Sequence, residues 1–335
     1  MRNAKMLWAL LGTVCAFAFN GQILSAQQEA PSNTSQVHMV ITDQAVREDS
    51  EIPILRPENV QVWQGKSQLK VNGLIPARGE NAALQLFILV DDTCDASIGN
   101  SLNDLRDFIN AQPATTVVGV AYMSNTTIQM VQNFTADHAA AAKAIRLPRG
   151  SLSAMDSPYL SLIALVKGWP EQKVRREVLM VTSGIDRFRS QGSSLSQRGP
   201  DRSSNRVGAT SMPTIGADVD SASTTSQRYG VIVHSIYATG VGRAGRNAWE
   251  AQIGQSGVAK IADETGGEYF SLGTQNLVSF KPYLDRLQRI LDNQYYLVFR
   301  VVPQKKAGLQ RVKISTESQG FEIAAADNVW VPAAK

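Results

Sequence analysis

The apolar run at residues 84–90, LQLFILV, most constrains the fold, because it ends abruptly in Asp91 and Asp92. A strand that is apolar on both faces must be covered on both sides, which is typical of a central strand in a parallel sheet. After Gly99, apolar residues recur at helical spacing. Strand, acidic loop and helix predict the first unit of an α/β domain, with oxygen ligands at the strand's carboxyl end, where hard cations often bind.

The same alternation continues along the chain and predicts the fold class. Buried strands are predicted at TTVVGVAYM, EVLMVTS, YGVIVHSIYA and QYYLVFRVV, with TIQMVQNF as a short antiparallel companion. Helices are predicted through AAAAKAI, over residues 159–167, through VAKIADETGG, and after Pro282. We therefore expect an α/β domain at residues 84–302, built on a doubly wound, mostly parallel sheet.

The segments on either side of this block have the two-residue alternation of short, half-exposed strands. They cover residues 37–78 and 303–335, and together they predict a small β-rich unit formed by the N- and C-terminal segments. Two stretches are predicted to be loops: the Ser-, Arg- and Gly-rich residues 186–228, and residues 239–254.

The N-terminus has the order of a secretory signal peptide at residues 1–26: two basic residues, a short apolar run, and small residues at 25 and 26. A polar linker at 27–36 follows. Loss of Arg2 and Lys5 lowers the formal charge from +4 to +2, too little to predict nucleic-acid binding. No later apolar run is long enough to span a membrane. We expect an exported protein, secreted, periplasmic or in the cell envelope, in which Cys94 has no intrachain partner for a disulfide.

FILVDDTCDASIGNSLNDLRDFI resembles the opening of a von Willebrand factor A domain, and the chain is similar to secreted "VWFA-related" proteins of acidobacterial type. The supporting motifs, in family order, are ENVQVWQGKSQLKV, VLMVTSGIDR, GVIVHSIYATGVG, IADETGGEYFSLG and YLDRLQRILDNQYYLVF. The resemblance covers roughly residues 37–332 and depends on the shared order of these motifs.

The resemblance implies a divalent-metal site for Mg²⁺ or a related cation. The family's Asp-x-Ser-x-Ser pattern falls on Asp91, Thr93 and Asp95, with Ser97 as the last hydroxyl in an alternative register. The second loop offers Ser151 or Ser153 in place of the family's Thr. The third has Thr-Ser-Gly in place of Thr-Asp-Gly, with an aspartate displaced to 186. The alternative is a degenerate site whose carboxylates are solvated or cap the following helix. The candidate metal residues are Asp91, Asp92, Thr93, Asp95, Ser153 and Asp186.

The resemblance also implies a protein-binding module that presents these loops to an unidentified protein partner. The candidate partner-binding residues are Ser97, Ser183, Arg187, Arg243, Arg246 and Trp249. No catalytic constellation is present in the sequence, so we expect no enzyme. The glycines at 240, 242 and 245 match a dinucleotide-binding spacing but lack its βαβ context. A structural or envelope-assembly protein that works through its β-rich unit is the alternative.

Overall fold

The computed structural model describes residues 35–45, 54–151, 153, 155–170, 172, 174–188, 217–242, 247–271 and 278–334. The predicted signal peptide, most of the predicted linker, Arg243 and Arg246 lie outside these ranges. Within the described part of the chain, no helix is long and apolar enough to cross a membrane.

A six-stranded sheet forms the centre of the α/β domain, in the order β10-β9-β8-β5-β6-β7. All neighbouring strands are parallel except the β6–β7 edge pair, so the predicted doubly wound sheet and the antiparallel companion are both confirmed. The strands are β5 (Leu84–Asp91), β6 (Thr116–Ser124), β7 (Thr127–Thr135), β8 (Arg175–Thr182), β9 (Val231–Tyr237) and β10 (Tyr269–Phe270).

Helices cover both faces of this sheet, and each face has its own buried apolar cluster. Local sequence explains several helix ends: the Ser157 side chain accepts from the Leu160 N–H, and Gly266 ends another helix with a left-handed φ of 78°. The described helices are α1 (Leu102–Asn110), α2 (His138–Lys143), α3 (Pro158–Gly168), α4 (Ala217–Tyr229), α5 (Ala248–Thr265) and α6 (Lys281–Asp292).

Two stretches that were predicted to be loops are partly helical. Helix α4 occupies residues 217–229, and it was missed because it packs through small and hydroxyl side chains, among them Ala222, Ser223 and Ser226, rather than through large apolar ones. Residues 189–216 of that predicted loop lie outside the described residues. Helix α5 begins at Ala248, inside the second predicted loop.

The start of α5 was not predicted because Gly254 lies in it, and glycine is a poor helix former. The structure shows why glycine stands there: a Cβ at 254 would lie 2.4 Å from the Ser183 carbonyl oxygen. Gly184, which has a left-handed φ of 67°, faces Gly254 in the same way. Two glycines thus let α5 approach the loop after β8 more closely than any side chain would allow.

The N- and C-terminal segments pair into a β-rich unit, as predicted. It contains a four-stranded sheet in the order β14-β1-β11-β4, a three-stranded sheet β13-β2-β3 and the pair β12-β15. Its strands are β1 (Ser35–Asp43), β2 (Gln61–Gln64), β3 (Ser67–Leu69), β4 (Val71–Pro76), β11 (Gln294–Val301), β12 (Gly308–Arg311), β13 (Lys313–Ser315), β14 (Ile323–Ala325) and β15 (Asn328–Val331).

Strand β11 was expected to be the last strand of the α/β block, and that placement is wrong. It pairs with β1 and β4 instead, because its inward side chains, including Leu297 and Phe299, belong to the core of the β-rich unit. The chain therefore leaves this sheet at β4, builds the α/β domain, and returns beside β4. Arg175 links the segment by which the chain leaves this sheet to the segment by which it returns. Its guanidinium donates to the Ala82 and Leu291 carbonyls, both at 2.7 Å.

Candidate functional site

The candidate site is a rim of loops at the carboxyl ends of the central strands. Backbone hydrogen bonds join these loops: the Asp95 N–H donates to the Thr239 carbonyl (2.8 Å) and the Val241 N–H to the Thr93 carbonyl (2.9 Å). The Gly150 N–H donates to the Asp92 carbonyl (2.9 Å). The rim is therefore a connected surface rather than a set of independent loops.

Asp91 ends β5 and is buried. Its Oδ1 accepts from the Thr93 N–H (2.9 Å) and hydroxyl (2.8 Å), and its Oδ2 accepts from the Thr182 hydroxyl (2.7 Å). The Thr182 oxygen in turn accepts from the Gly184 N–H. Burial raises the pKa of Asp91, against the opposing effect of these hydrogen bonds. Both carboxylate oxygens are thus occupied by groups of the protein itself.

Asp92 is paired with an arginine that the sequence analysis did not identify. The Arg146 guanidinium donates to both carboxylate oxygens, at 2.6 and 2.8 Å, and lies 3.6 Å from the centre of the Tyr122 ring. The hydrogen bond to Asp92 raises the pKa of Arg146. The Tyr122 hydroxyl accepts from the Arg146 N–H (2.6 Å) and donates to its carbonyl (2.7 Å). Asp92 is therefore neutralised by a fixed cation of the chain.

Of the other candidate metal residues, Thr93 bonds to Asp91, whereas Asp95 and Ser153 bond within their own loops. Asp95 caps the turn that precedes α1 by accepting from the Ser97 N–H (2.9 Å), as the alternative of a helix-capping carboxylate predicts. Ser153 accepts from the Met155 N–H and donates its own N–H to Asp156. Within the described ranges, no three His, Cys, Asp or Glu side chains are grouped so that they could hold a metal ion.

Asp156, which was not predicted as a site residue, is the second carboxylate near Asp91. It is buried, and its oxygens accept from the backbone N–H groups of Asn125 (2.9 Å) and Ser153 (2.6 Å). Asp91, Asp156, Thr93 and three serines line a cavity of about 10 Å³, which is the size of one water molecule.

These residues do not fit the predicted divalent-metal site. A hard cation takes six or more oxygen ligands, and its carboxylate ligands must stay ionised. Here one carboxylate is neutralised by arginine, and the other two already accept hydrogen bonds on both oxygens. Burial and the neighbouring Asp156 also raise the pKa of Asp91, which opposes its ionisation.

The candidate partner-binding residues differ in accessibility. Ser183 is buried under α5, so it cannot contact a partner in this conformation. Ser97 is exposed, and Arg187 is half-buried, with its side chain donating to the Val241 carbonyl (3.2 Å). Trp249 is 53% exposed at the start of α5, where the Asn247 side chain accepts from its N–H.

Cys94 is fully buried, and burial raises its pKa, so the thiol is unsuited to an intermolecular disulfide.

Exposed apolar side chains add to this rim. Leu147 and Met155 lie in the loop between α2 and α3, Phe188 follows β8, and Trp249 begins α5; all four are at least 40% exposed. Periodicity does not indicate the first three, because they stand in irregular segments.

Comparisons with known proteins give structural neighbours alone. No protein-family profile matches the chain, and neither does any curated protein sequence. A structure of an aerotolerance-related membrane protein from Bacteroides fragilis covers 63% of this chain and 99% of its own, at 11% identity and a TM-score of 0.40. The BatB structure from Bacteroides thetaiotaomicron covers 62% of this chain and 98% of its own, at 13% identity and a TM-score of 0.40. A von Willebrand factor type A structure from Catenulispora acidiphila covers 90% and 74%, at 10% identity and 0.39.

The strand order of the central sheet runs 3-2-1-4-5-6, with its one antiparallel strand at an edge and helices on both faces. This is the architecture that the resemblance implies. The α/β domain is thus similar in fold to a von Willebrand factor A domain. In open α/β sheets, ligands bind outside the carboxyl ends of the strands, where this loop rim lies.

Proposed function

We propose that this protein is an exported, non-enzymatic interaction module that binds a protein partner at the rim of its von Willebrand factor A-like domain. The exposure of Trp249 is the observation that carries the proposal. A large aromatic side chain held half in solvent by a capped helix start is typical of interface hot spots. Phe188, Met155 and Leu147 supply further apolar contact area on the same end of the domain.

The internal bonds of the rim support a partner contact that needs no metal bridge. Arg146 places a positive charge beside Asp92, as a bound cation would. The side chains of Arg146 and Asp92 are held by each other and by neighbouring groups rather than directed at a ligand. The binding energy then comes from burial of the apolar rim residues. Export to the cell envelope or beyond follows from the signal-peptide pattern at residues 1–26.

Site-specific photo-crosslinking in cells that produce the protein tests this function. A benzophenone amino acid is placed at Trp249 or at Phe188, and, as matched controls of similar exposure, at Ile75 on β4 or at Met130 on β7. We expect one adduct of defined mass from both rim positions and none from the controls. Adducts from Ile75 alone would overturn the proposal and favour envelope assembly through the β-rich unit.

A further inference from the structure

A cleft lies at the opposite end of the α/β domain from the rim, where β8 and β9 begin. It has a volume of about 430 Å³, within the range of ligand and peptide sites. Residues 229–232, residues 37–40 of β1 and Trp330 of β15 are among those that line it.

Four consecutive residues of β1 line this cleft. Because successive side chains of a strand point to opposite faces, consecutive residues can all meet one cavity only where it touches the strand's edge. The pairing agrees: β1 pairs with β11 along residues 35–42 on one side, whereas β14 pairs with it only from Ile41 to Asp43 on the other. Among the described residues, no strand forms hydrogen bonds with the remaining edge of β1; β15 packs near this edge but pairs with β12.

The hydrogen bonds at the end of β1 show which groups face this edge. The Asp43 N–H donates toward β11, to the Asn293 carbonyl, and the Gln44 N–H donates toward β14, to the Glu322 carbonyl. Since the direction alternates along a strand, the backbone groups of His38 face the uncovered side. An open edge of this kind is a template for one more strand.

The side chains around the edge indicate the chemistry of that strand. Aromatic rings of Tyr229, Tyr296 and Trp330 line the cleft, and the Arg228 guanidinium lies 4.5 Å from the centre of the Trp330 ring. The charged lining residues are Arg176 and Arg228, and no aspartate or glutamate lines the cleft. A second copy of the chain would bring the same arginines together, so charge complementarity favours an acidic partner over self-association.

We propose that the edge of β1 at residues 36–40 binds an extended acidic segment of a partner protein as an added strand, with an apolar or aromatic side chain of that segment in the cleft. Backbone hydrogen bonds to β1 supply the affinity, and the arginines select acidic over basic sequences. This site is separate from the rim and does not depend on the function proposed for it.

Fluorescence anisotropy with a panel of labelled ten-residue peptides tests the proposal. In each peptide glutamate alternates with valine around one central tyrosine, phenylalanine or leucine; matched panels carry lysine for glutamate, or N-methyl groups on the amides that would pair. We expect binding by acidic peptides and at least tenfold weaker binding by both matched panels. Absence of binding by every acidic peptide, or equal binding by the lysine or N-methylated panels, would overturn the proposal.

Variants of the protein locate the site. His38→Pro removes an edge N–H without breaking the β1–β11 bonds, and Arg228→Glu cancels the positive charge of the cleft, because Arg176 remains. We expect either change to weaken acidic-peptide binding at least tenfold, while Arg56→Glu, on an exposed turn, and Trp249→Ala, on the rim, leave it unchanged. Unchanged binding by folded Arg228→Glu and His38→Pro would refute the site. Concentration-dependent dimerisation of the native chain that His38→Pro abolishes would instead identify a second copy as the occupant.

Discussion

Replacing Arg146 by methionine tests whether an internal cation holds the acidic loop of the rim together. Methionine keeps much of the aliphatic length and removes the guanidinium. The Asp92 side chain is 2% exposed and that of Arg146 is 30% exposed, so the two partners differ in their access to water. After the change, the buried carboxylate keeps one weak partner, the Arg149 N–H at 3.2 Å.

The asymmetry in exposure sets the size of the effect. Loss of one partner of a buried ion pair costs about 3–5 kcal/mol when the remaining charge stays buried. We expect Arg146→Met to cost about 4 kcal/mol, including the lost contact with the Tyr122 ring. Asp92→Asn should cost only about 2 kcal/mol, because Arg146 can rehydrate and the amide still accepts one hydrogen bond.

Urea denaturation of the native chain, both single variants and the double variant measures these terms as a double-mutant cycle. We expect a coupling of about 2 kcal/mol, so that the double variant is less destabilised than the sum of the singles. Equal losses from both single variants, together with strict additivity, would refute the ion pair as the element that holds this loop.

Three further changes probe other parts of the structure. Gly254→Ala should destabilise the protein by about 2 kcal/mol in urea, although alanine favours helices, because its Cβ would meet the Ser183 carbonyl; an unchanged midpoint would contradict that packing. Asp91→Asn should weaken the pH dependence of stability: with the pKa of Asp91 raised in the folded state, the native chain gains stability over the variant as pH falls from neutral towards about 4, and parallel curves would contradict this. Millimolar Mg²⁺ should leave the thermal midpoint unchanged relative to EDTA, since a cation that binds the folded state must raise it.

The sequence predicts the central sheet well, because each of its long parallel strands contains an apolar run that local reasoning detects. The antiparallel edge strand β7 and helix α6 also follow from periodicity and from Pro282. Helix α4 was missed because its buried face, apart from Val219, is made of alanine, serine and glutamine. Strand β11 was misplaced because an apolar run does not reveal which sheet will contain it.

The site was harder to predict than the fold. The resemblance locates Asp91 and Thr93, and the structure joins them directly. Arg146 lies 54 residues after Asp92, in a segment without a motif, and Asp156 belongs to a different loop again. Contacts of this kind depend on how the loops are brought together by the sheet, so no spacing in a single sequence indicates them.

The return of the chain to β4 through β11 has a consequence for how the molecule assembles. The α/β domain is an insertion in the connection between two neighbouring strands, so the four-stranded sheet cannot close until residues 84–292 have been made and their ends lie together. Closing so long a loop in an unfolded chain carries a large entropic cost, which a folded insertion has already met. We therefore expect the inserted domain to fold first and the terminal strands to pair last, so that a misfolded insertion leaves β1 and β4 without the strand that lies between them.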